Sequence, residues 1–424
     1  IHRFLCAMAR PCVRQNSASS GRQSVRIAPD SAPILAGCAA AALPRNGIAD
    51  PQLAERANVE GLEGIRFWAD EVPTNLKAEI QRRMPGLPRL AQDASELQGR
   101  PLVETLALSG GGSDGAFGAG LLAGWTARGD RPSFEVVTGV SAGAIIAPFA
   151  FLGPRYDDHL RQIWTEYGTS ELVTAQILPG LLGGSSLADT SKLRELVAQY
   201  IDKKLLREIA AEYRRGRLLF VLTTNLDAQR PVVWNLGALA GSLHPDALDL
   251  FRNVIMASAA IPGAFPPVSI PVVADGKHFE ELHVDGGTTR EVFVSPVQVP
   301  FKAFDALYAS PPIRRLYIVK NGKLSPETEV VKPQTLSIAA RAIFTLIKNQ
   351  NLGELYAIYR RALDAGADFN LIAVPPTFTT KAKELFDPDY QNALFDEGFR
   401  LGKAGGPWLK VPPQITGHRK TARR

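Results

Sequence analysis

Hydrophobic periodicity is absent at the start of the chain and strong from about residue 100 onward. Residues 1–60 are rich in Ala, Ser, Arg and Pro, a composition that favours an irregular lead-in. Ile65 to Ala69, with Phe67 and Trp68, make a short apolar clip, and Asn75 to Arg83 has helical spacing. Leu102 to Leu108 alternates as a strand does and runs directly into Ser109-Gly110-Gly111-Gly112-Ser113-Asp114-Gly115. A small-residue helix is expected over Ala116 to Ala127. A second strand, Glu135 to Thr138, leads into Gly139-Val140-Ser141-Ala142-Gly143, and an apolar helix opens at Ala144.

Further along, Tyr156 to Tyr167 reads as helix, Lys192 to Arg215 as one amphipathic helix, and Leu218 to Thr224 as a buried strand. Asp246 to Ala260 is a helix stopped by Pro262, and Leu282 to Val284 a short strand ending at Asp285-Gly286-Gly287. Leu316 to Val319 and Asn370 to Val374 are strand candidates on either side of the long helical stretch Leu336 to Ala365. Tyr390 to Lys403 is the last helix. Ile177 to Leu187 is apolar but broken by Pro179 and by glycines. It reads as a buried connection or as a mobile flap over an acyl-binding groove, with the buried reading favoured.

The β-loop-α-β-elbow-α order predicts a three-layer α/β/α fold around a mainly parallel sheet. The expected organisation is a leader over 1–60, an extension packing on the core over 61–101, a catalytic domain over 102–376, and a helical extension with a basic tail over 377–424.

Charge changes this picture little. The formal charge of +6 is concentrated at the ends: residues 1–48 hold six Arg against one Asp, and residues 418–424 hold four basic residues and no acid. The body between them is slightly acidic, with no zinc-finger spacing and no basic stretch interleaved with aromatics. Nucleic acid is therefore not an expected partner. All three cysteines, Cys6, Cys12 and Cys38, precede the body, which excludes a disulfide framework or a cysteine metal site there.

Cys38 ends Leu35-Ala36-Gly37-Cys38, which resembles the lipobox of bacterial lipoproteins. Arg22 and Arg26 lie upstream, and Ser31 to Leu43 has the length of a signal-peptide core, although Pro29, Asp30 and Pro33 interrupt it. Two locations stay open: an exported lipoprotein anchored through Cys38 at a membrane surface, and a cytoplasmic protein with an Ala/Arg-rich leader.

Ester hydrolysis needs a nucleophile, a base and donors for the oxyanion. Gly139 to Gly143 is a G-x-S-x-G pattern between a strand and a helix, the context in which Ser141 stands on an exposed turn. The glycine loop at 110–115 can turn bare backbone N–H groups at a helix N-terminus toward an oxyanion. The same loop fits G-x-G-x-x-G through Gly110, Gly112 and Gly115. The end of the next strand, at Thr138-Gly139, lacks the acid a dinucleotide site needs, so the oxyanion reading ranks above a nicotinamide-type oxidoreductase. A triad would place a histidine after the acid, yet only His418, in the tail, follows Asp285; His278 and His283 precede it. A buried carboxylate can take the base's place, and Asp285 at a strand end is placed for it, or forms an ordinary Asp-Gly turn.

Ser109-Gly110-Gly111-Gly112 with Gly115, Gly139 to Gly143, Ala257-Ser258-Ala259-Ala260-Ile261-Pro262-Gly263-Ala264-Phe265-Pro266-Pro267, and Asp285-Gly286-Gly287 together resemble the patatin-like phospholipase family. The resemblance covers about residues 102–320, with the four motifs in family order. It implies a patatin-like fold and a lipid acyl hydrolase with a Ser-Asp dyad: Ser141 the nucleophile, Asp285 the proton acceptor, Gly110 to Gly112 the oxyanion hole. Ile261 to Pro267 would line the acyl site, and no metal or organic cofactor is implied. Many members carry a basic residue just after the triple glycine. Here Ser113-Asp114 stands instead, which leaves phospholipids, lysophospholipids and neutral esters all open as substrates. The competing reading from another class is a non-catalytic lipid-binding envelope protein on the same fold.

Overall fold

The computed structural model describes residues 45–83, 85, 99–175, 186, 188–308 and 310–413. The lipobox cysteine Cys38, the Ser31 to Leu43 core, all of the 177–187 segment except Ser186, and His418 with the basic tail lie outside the described residues.

The elements in chain order are α1 (Pro51–Arg56), β1 (Arg66–Trp68), α2 (Leu76–Arg83), β2 (Leu102–Leu108), α3 (Gly115–Arg128), β3 (Val136–Val140), α4 (Ala142–Leu152), α5 (Asp157–Thr165) and α6 (Thr169–Leu172). After the short antiparallel pair β4 (Thr174–Ala175) and β5 (Ala188–Asp189) come α7 (Ser191–Tyr200), α8 (Lys203–Arg214), β6 (Leu218–Asn225), β7 (Arg230–Asn235), α9 (Leu236–Gly241) and α10 (Ala247–Ser258). The hairpin β8 (Val268–Ala274) and β9 (Lys277–Asp285), then β10 (Ile313–Lys320), α11 (Thr335–Ala365), β11 (Asp368–Ala373) and α12 (Pro388–Ala404) complete the chain.

The main sheet runs β1-β7-β6-β3-β2-β10-β11, and β9 joins it along β6. From β6 to β11 the neighbours are parallel, and β7 and β1 are antiparallel additions at one edge. Strands covered on both faces read as continuous apolar runs, as Leu218 to Leu222 of β6 does, whereas Glu104 and Thr105 interrupt the apolar run of the equally buried β2. β9 is the one strand that pairs with β8 among the described residues; the outer edge of β8 carries a single bridge, Asn58 to Val273, two residues past Pro271, so the missing N–H of Pro271 breaks no continuous ladder.

Three local expectations change. The single helix over Lys192 to Arg215 is two, because Asp202 caps α8 by accepting from the Leu205 N–H (2.8 Å). The short strand at Leu282 to Val284 is the end of the nine-residue β9. The lead-in is regular from Pro51, where α1 starts behind the Asp50 cap.

The small residues of α3 have a packing cause. A Cβ at Gly120 would lie 2.0 Å from the Phe395 carbonyl of α12, and one at Gly398 would lie 2.3 Å from the Phe117 carbonyl of α3. The two backbones touch, so the C-terminal helix holds the helix that follows the glycine loop.

Candidate active site

β3 ends at Val140 and α4 begins at Ala142, which leaves one residue, Ser141, to turn the chain. It does so at φ 53°, ψ −121°, a conformation that is costly for any side chain larger than hydrogen. Close approach on both sides explains the flanking glycines: a Cβ at Gly139 would sit 2.4 Å from the Gly143 carbonyl oxygen, and one at Gly143 would sit 2.3 Å from that of Leu108. The turn is clamped from outside. The Ser141 N–H donates to Ser258 Oγ (2.9 Å), whose own hydroxyl donates to the Leu222 carbonyl (2.7 Å). Ser258 lies within a segment singled out from sequence, but its role as a clamp depends on a partner 117 residues away and left no signal in spacing.

β6 brings the second group into place. Val140 of β3 pairs with Leu222, and the next residue of β6, Thr223, pairs with Asp285 of β9. β9 thus takes up the flank of β6 where β3 turns away, and Ser141 and Asp285 meet across that junction. The Ser141 hydroxyl donates to Asp285 Oδ2 at 2.6 Å, and the Gly287 N–H donates to Oδ1 at 2.7 Å. Burial pushes the Asp285 carboxyl from 3.8 up to about 7; those two hydrogen bonds oppose the rise and the negative charge of Glu291 adds to it.

No histidine among the described residues contacts this pair. His283 is fully buried, with Nδ1 at 2.9 Å from Thr223 Oγ1 and Nε2 at 3.1 Å from Glu281. Nε2 faces the Glu281 carboxylate, which can only accept, so the ring carries a proton there, and the Trp234 N–H donates to the same Thr223 oxygen (2.8 Å). Exposed His278 points to Glu60, 3.9 Å away.

The glycine loop lies directly against Ser141: a Cβ on Gly110 would be 3.2 Å from the Ser141 Cβ. The three expected oxyanion donors are not equivalent. Gly110 commits its N–H to the Glu291 carbonyl (3.2 Å), whereas the N–H groups of Gly111 and Gly112 have no protein partner among the described residues. Both adopt positive φ, 155° and 56°, which favours glycine. Asn321, which the motifs did not flag, fixes the loop: its N–H and side-chain amide donate to the Ser109 hydroxyl and carbonyl (2.8 Å each), and its Oδ1 accepts from the Gly118 N–H (3.1 Å). Gly115 opens α3 where a Cβ would strike the Trp164 ring at 2.1 Å, and Gly286 fits where a Cβ would lie 2.4 Å from the Leu222 carbonyl.

Asp114 turns out to be engaged behind the loop. It accepts from the Tyr390 hydroxyl (2.6 Å), and burial pushes its carboxyl up to about 6 against that bond and the charge of Lys320. Lys320 itself is buried in an ion pair with Glu291.

An apolar cavity of about 70 Å³ opens beside Ser141 and Gly112, walled by Ile145, Phe149, Trp164, Val197 and others, with no charged side chain among its described lining residues. Of the segment Ile261 to Pro267, Ile261 and Phe265 reach it. A larger apolar cavity, about 140 Å³, lies against Val103, Val136, Phe220 and Leu316 and does not touch the pair. Strand alternation places it on the other face of the sheet.

Residues 106–298 match the family model for patatin-like phospholipase. No curated protein matches the chain. Among solved structures, VipD from Legionella pneumophila is similar at 12% identity over 71% of this chain and 66% of its own, with a TM-score of 0.30. Human GIVD cytosolic phospholipase A2 is similar at 10% identity over 80% of this chain and 64% of its own, with a TM-score of 0.32. The chain spans less than two thirds of the length of either structure.

Proposed function

We propose, for a chain whose residues 106–298 form a patatin-like phospholipase domain, that it hydrolyses lipid esters through an acyl-enzyme on Ser141 with Asp285 as the base. The observation that carries this reading is the 2.6 Å hydrogen bond from a hydroxyl on a strained elbow to a buried carboxylate lifted to about 7. A base poised near neutral pH combines correct protonation with useful driving force. As Ser141 Oγ attacks the ester carbonyl, its proton passes to Asp285 Oδ2. The oxyanion develops beside the free N–H groups of Gly111 and Gly112. Collapse of the tetrahedral adduct returns the proton from Asp285 to the leaving alkoxide. Water, activated by the same carboxylate, then releases the fatty acid.

The uncharged cavity beside Ser141 supports an acyl chain as the recognised part of the substrate and suits lysophospholipids and neutral esters as well as phospholipids. For the leader, lipidation at Cys38 remains our proposal; an unchanged protein mass after globomycin treatment would count against it.

Labelling with a fluorophosphonate probe tests the central reading, because only an activated serine reacts. Labelling of the parent protein and none of Ser141→Ala is expected, together with hydrolysis of at least one member of a panel of phospholipids, lysophospholipids and neutral esters. A folded parent that neither labels nor hydrolyses would favour the non-catalytic lipid-binding reading instead.

A further inference from the structure

One ring stands between the apolar cavity beside Ser141 and a polar pocket. Leu193, Leu196, Val197 and Tyr200 recur along α7 at three- and four-residue steps and so share one face of the helix. All four line the cavity. Tyr200 also borders a separate polar pocket of about 270 Å³ that contains Arg155, His159, Lys204 and Glu208. Among the described residues it is the only one common to both linings.

Side-chain bonds tie α7 to α10 and fix its apolar face on the cavity. Arg252 of α10 donates to the Ala198 and Ile201 carbonyls (2.9 Å each), and Arg194 of α7 donates to Asn253 Oδ1 (2.6 Å). Ser258, which clamps the Ser141 amide, lies six residues beyond Arg252, roughly 9 Å along the helix. On α4, Phe149 also lines the cavity, eight residues and roughly 12 Å past Ser141, and stacks on His159 (centroids 6.1 Å apart), the ring that packs against Tyr200; Tyr200 therefore stands at the end of the cavity away from the reacting hydroxyl.

The ring is also held. Its hydroxyl lies 3.2 Å from that of Tyr167 and donates to Gln162 Oε1 at 3.4 Å, and its plane packs edge-on against His159 with centroids 5.8 Å apart. Beyond it the environment changes at once, to a pocket crossed by the Arg155–Glu208 ion pair (2.7 Å). A methyl group pushed past the ring would face charge and water and gain nothing from burial.

We propose that Tyr200 is the stop of the acyl pocket and sets the longest acyl chain the enzyme accepts, with esters of medium-length fatty acids as its preferred class. The proposal rests on the acyl-hydrolase reading above and adds a specificity-determining residue to it. Up to the stop, each further buried methylene raises kcat/KM by about fourfold, the equivalent of ~0.8 kcal/mol. Past it the gain ends.

The test is kcat/KM for the p-nitrophenyl esters of butyrate, octanoate, laurate and palmitate with the parent enzyme, Tyr200→Ala, Tyr200→Leu and Tyr200→Phe. In the parent the value rises with chain length, reaches a maximum and falls. Tyr200→Ala joins the two pockets and moves the maximum to longer esters, raising the palmitate-to-octanoate ratio by about tenfold or more, the equivalent of roughly two further methylenes. Tyr200→Leu, which keeps more of the packing in case the alanine variant does not fold, moves it the same way by less. Tyr200→Phe keeps the parent profile, since the ring and not the hydroxyl is the stop. An unchanged profile in folded Tyr200→Ala or Tyr200→Leu overturns the proposal and leaves the hydrolase reading standing. A folded parent that hydrolyses none of these esters and does not label with the fluorophosphonate probe overturns the hydrolase reading itself.

Discussion

Glu281 and Asp285 stand on the same face of one strand, β9, two pleats apart, and both are buried, at 1% and 6% exposure. Their chemistry is nevertheless opposite. Burial alone would push Glu281 up, but the charge of Arg66 and the hydrogen bonds from His283 and Arg66 outweigh it and bring the carboxyl from 4.5 down to about 2. Among the described residues no cation pairs with Asp285. Burial wins over the Ser141 and Gly287 hydrogen bonds, and the carboxyl rises to about 7. Lys320, behind the glycine loop, is held by Glu291. One missing counter-charge thus separates an acid fixed as a structural anion from one able to take and return a proton.

The largest expected effect breaks the comparison at Asp285. Asp285→Asn keeps the shape and an acceptor for the Gly287 N–H but removes the base, so hydrolysis should fall by about 100- to 10,000-fold with the fold retained. Full activity in this variant would sink the dyad. Glu281→Gln should do the reverse. It strands the buried Arg66, costing about 3–5 kcal/mol of stability in chemical denaturation, while activity per folded molecule stays near that of the parent. A folded Glu281→Gln as inactive as Asp285→Asn would show that the two acids are not functionally distinct.

The pH dependence of stability sharpens the contrast further. The unfolded chain releases the Asp285 proton near 3.8 and the fold holds it to about 7, so ionisation opposes folding and this contribution falls as pH rises between those values. Glu281 slopes the other way: its contribution is complete above 4.5 and is lost as pH drops toward 2. Asp285→Asn should therefore gain stability relative to the parent between pH 5 and pH 8, by roughly 3 kcal/mol. Urea melts at the two pH values measure it, and equal differences at both would mean Asp285 titrates like a solvated carboxylate.

How much of this was legible in the sequence follows from how local each feature is. The glycine loop, the elbow and Asp285-Gly286-Gly287 are contiguous strings whose residue types answer to contacts within a turn, and they stood out. Arg66 against Glu281, Ser258 against Ser141 and Asn321 against Ser109 are pairings across 215, 117 and 212 residues. Nothing in the spacing of such residues marks them, because the sheet order alone brings them together. β8 escaped for a different reason: Pro271 breaks its alternation, and only its edge position makes that proline harmless. The engagement of Gly110 with Glu291 was equally hidden, since a backbone N–H leaves no trace in the residue type.

The smallest effect tests whether the charge around Asp285 is tuned as well as its burial. Glu291 lies under the glycine loop, its negative charge helps hold the Asp285 proton, and one of its oxygens is buried without a hydrogen-bond partner. Glu291→Gln removes that charge and leaves the Lys320 cation uncompensated, and both changes favour the Asp285 carboxylate. Because the base works deprotonated, kcat/KM in the parent should climb with pH through a limb near 7. In Glu291→Gln that limb should move to lower pH by less than about one unit, a perturbation under ~1.4 kcal/mol, with the plateau rate changed little. A pH–rate profile on any ester the enzyme accepts reads the shift directly. A limb that stays in place would mean burial alone sets the base, and one that moves to higher pH would contradict the charge arrangement drawn here.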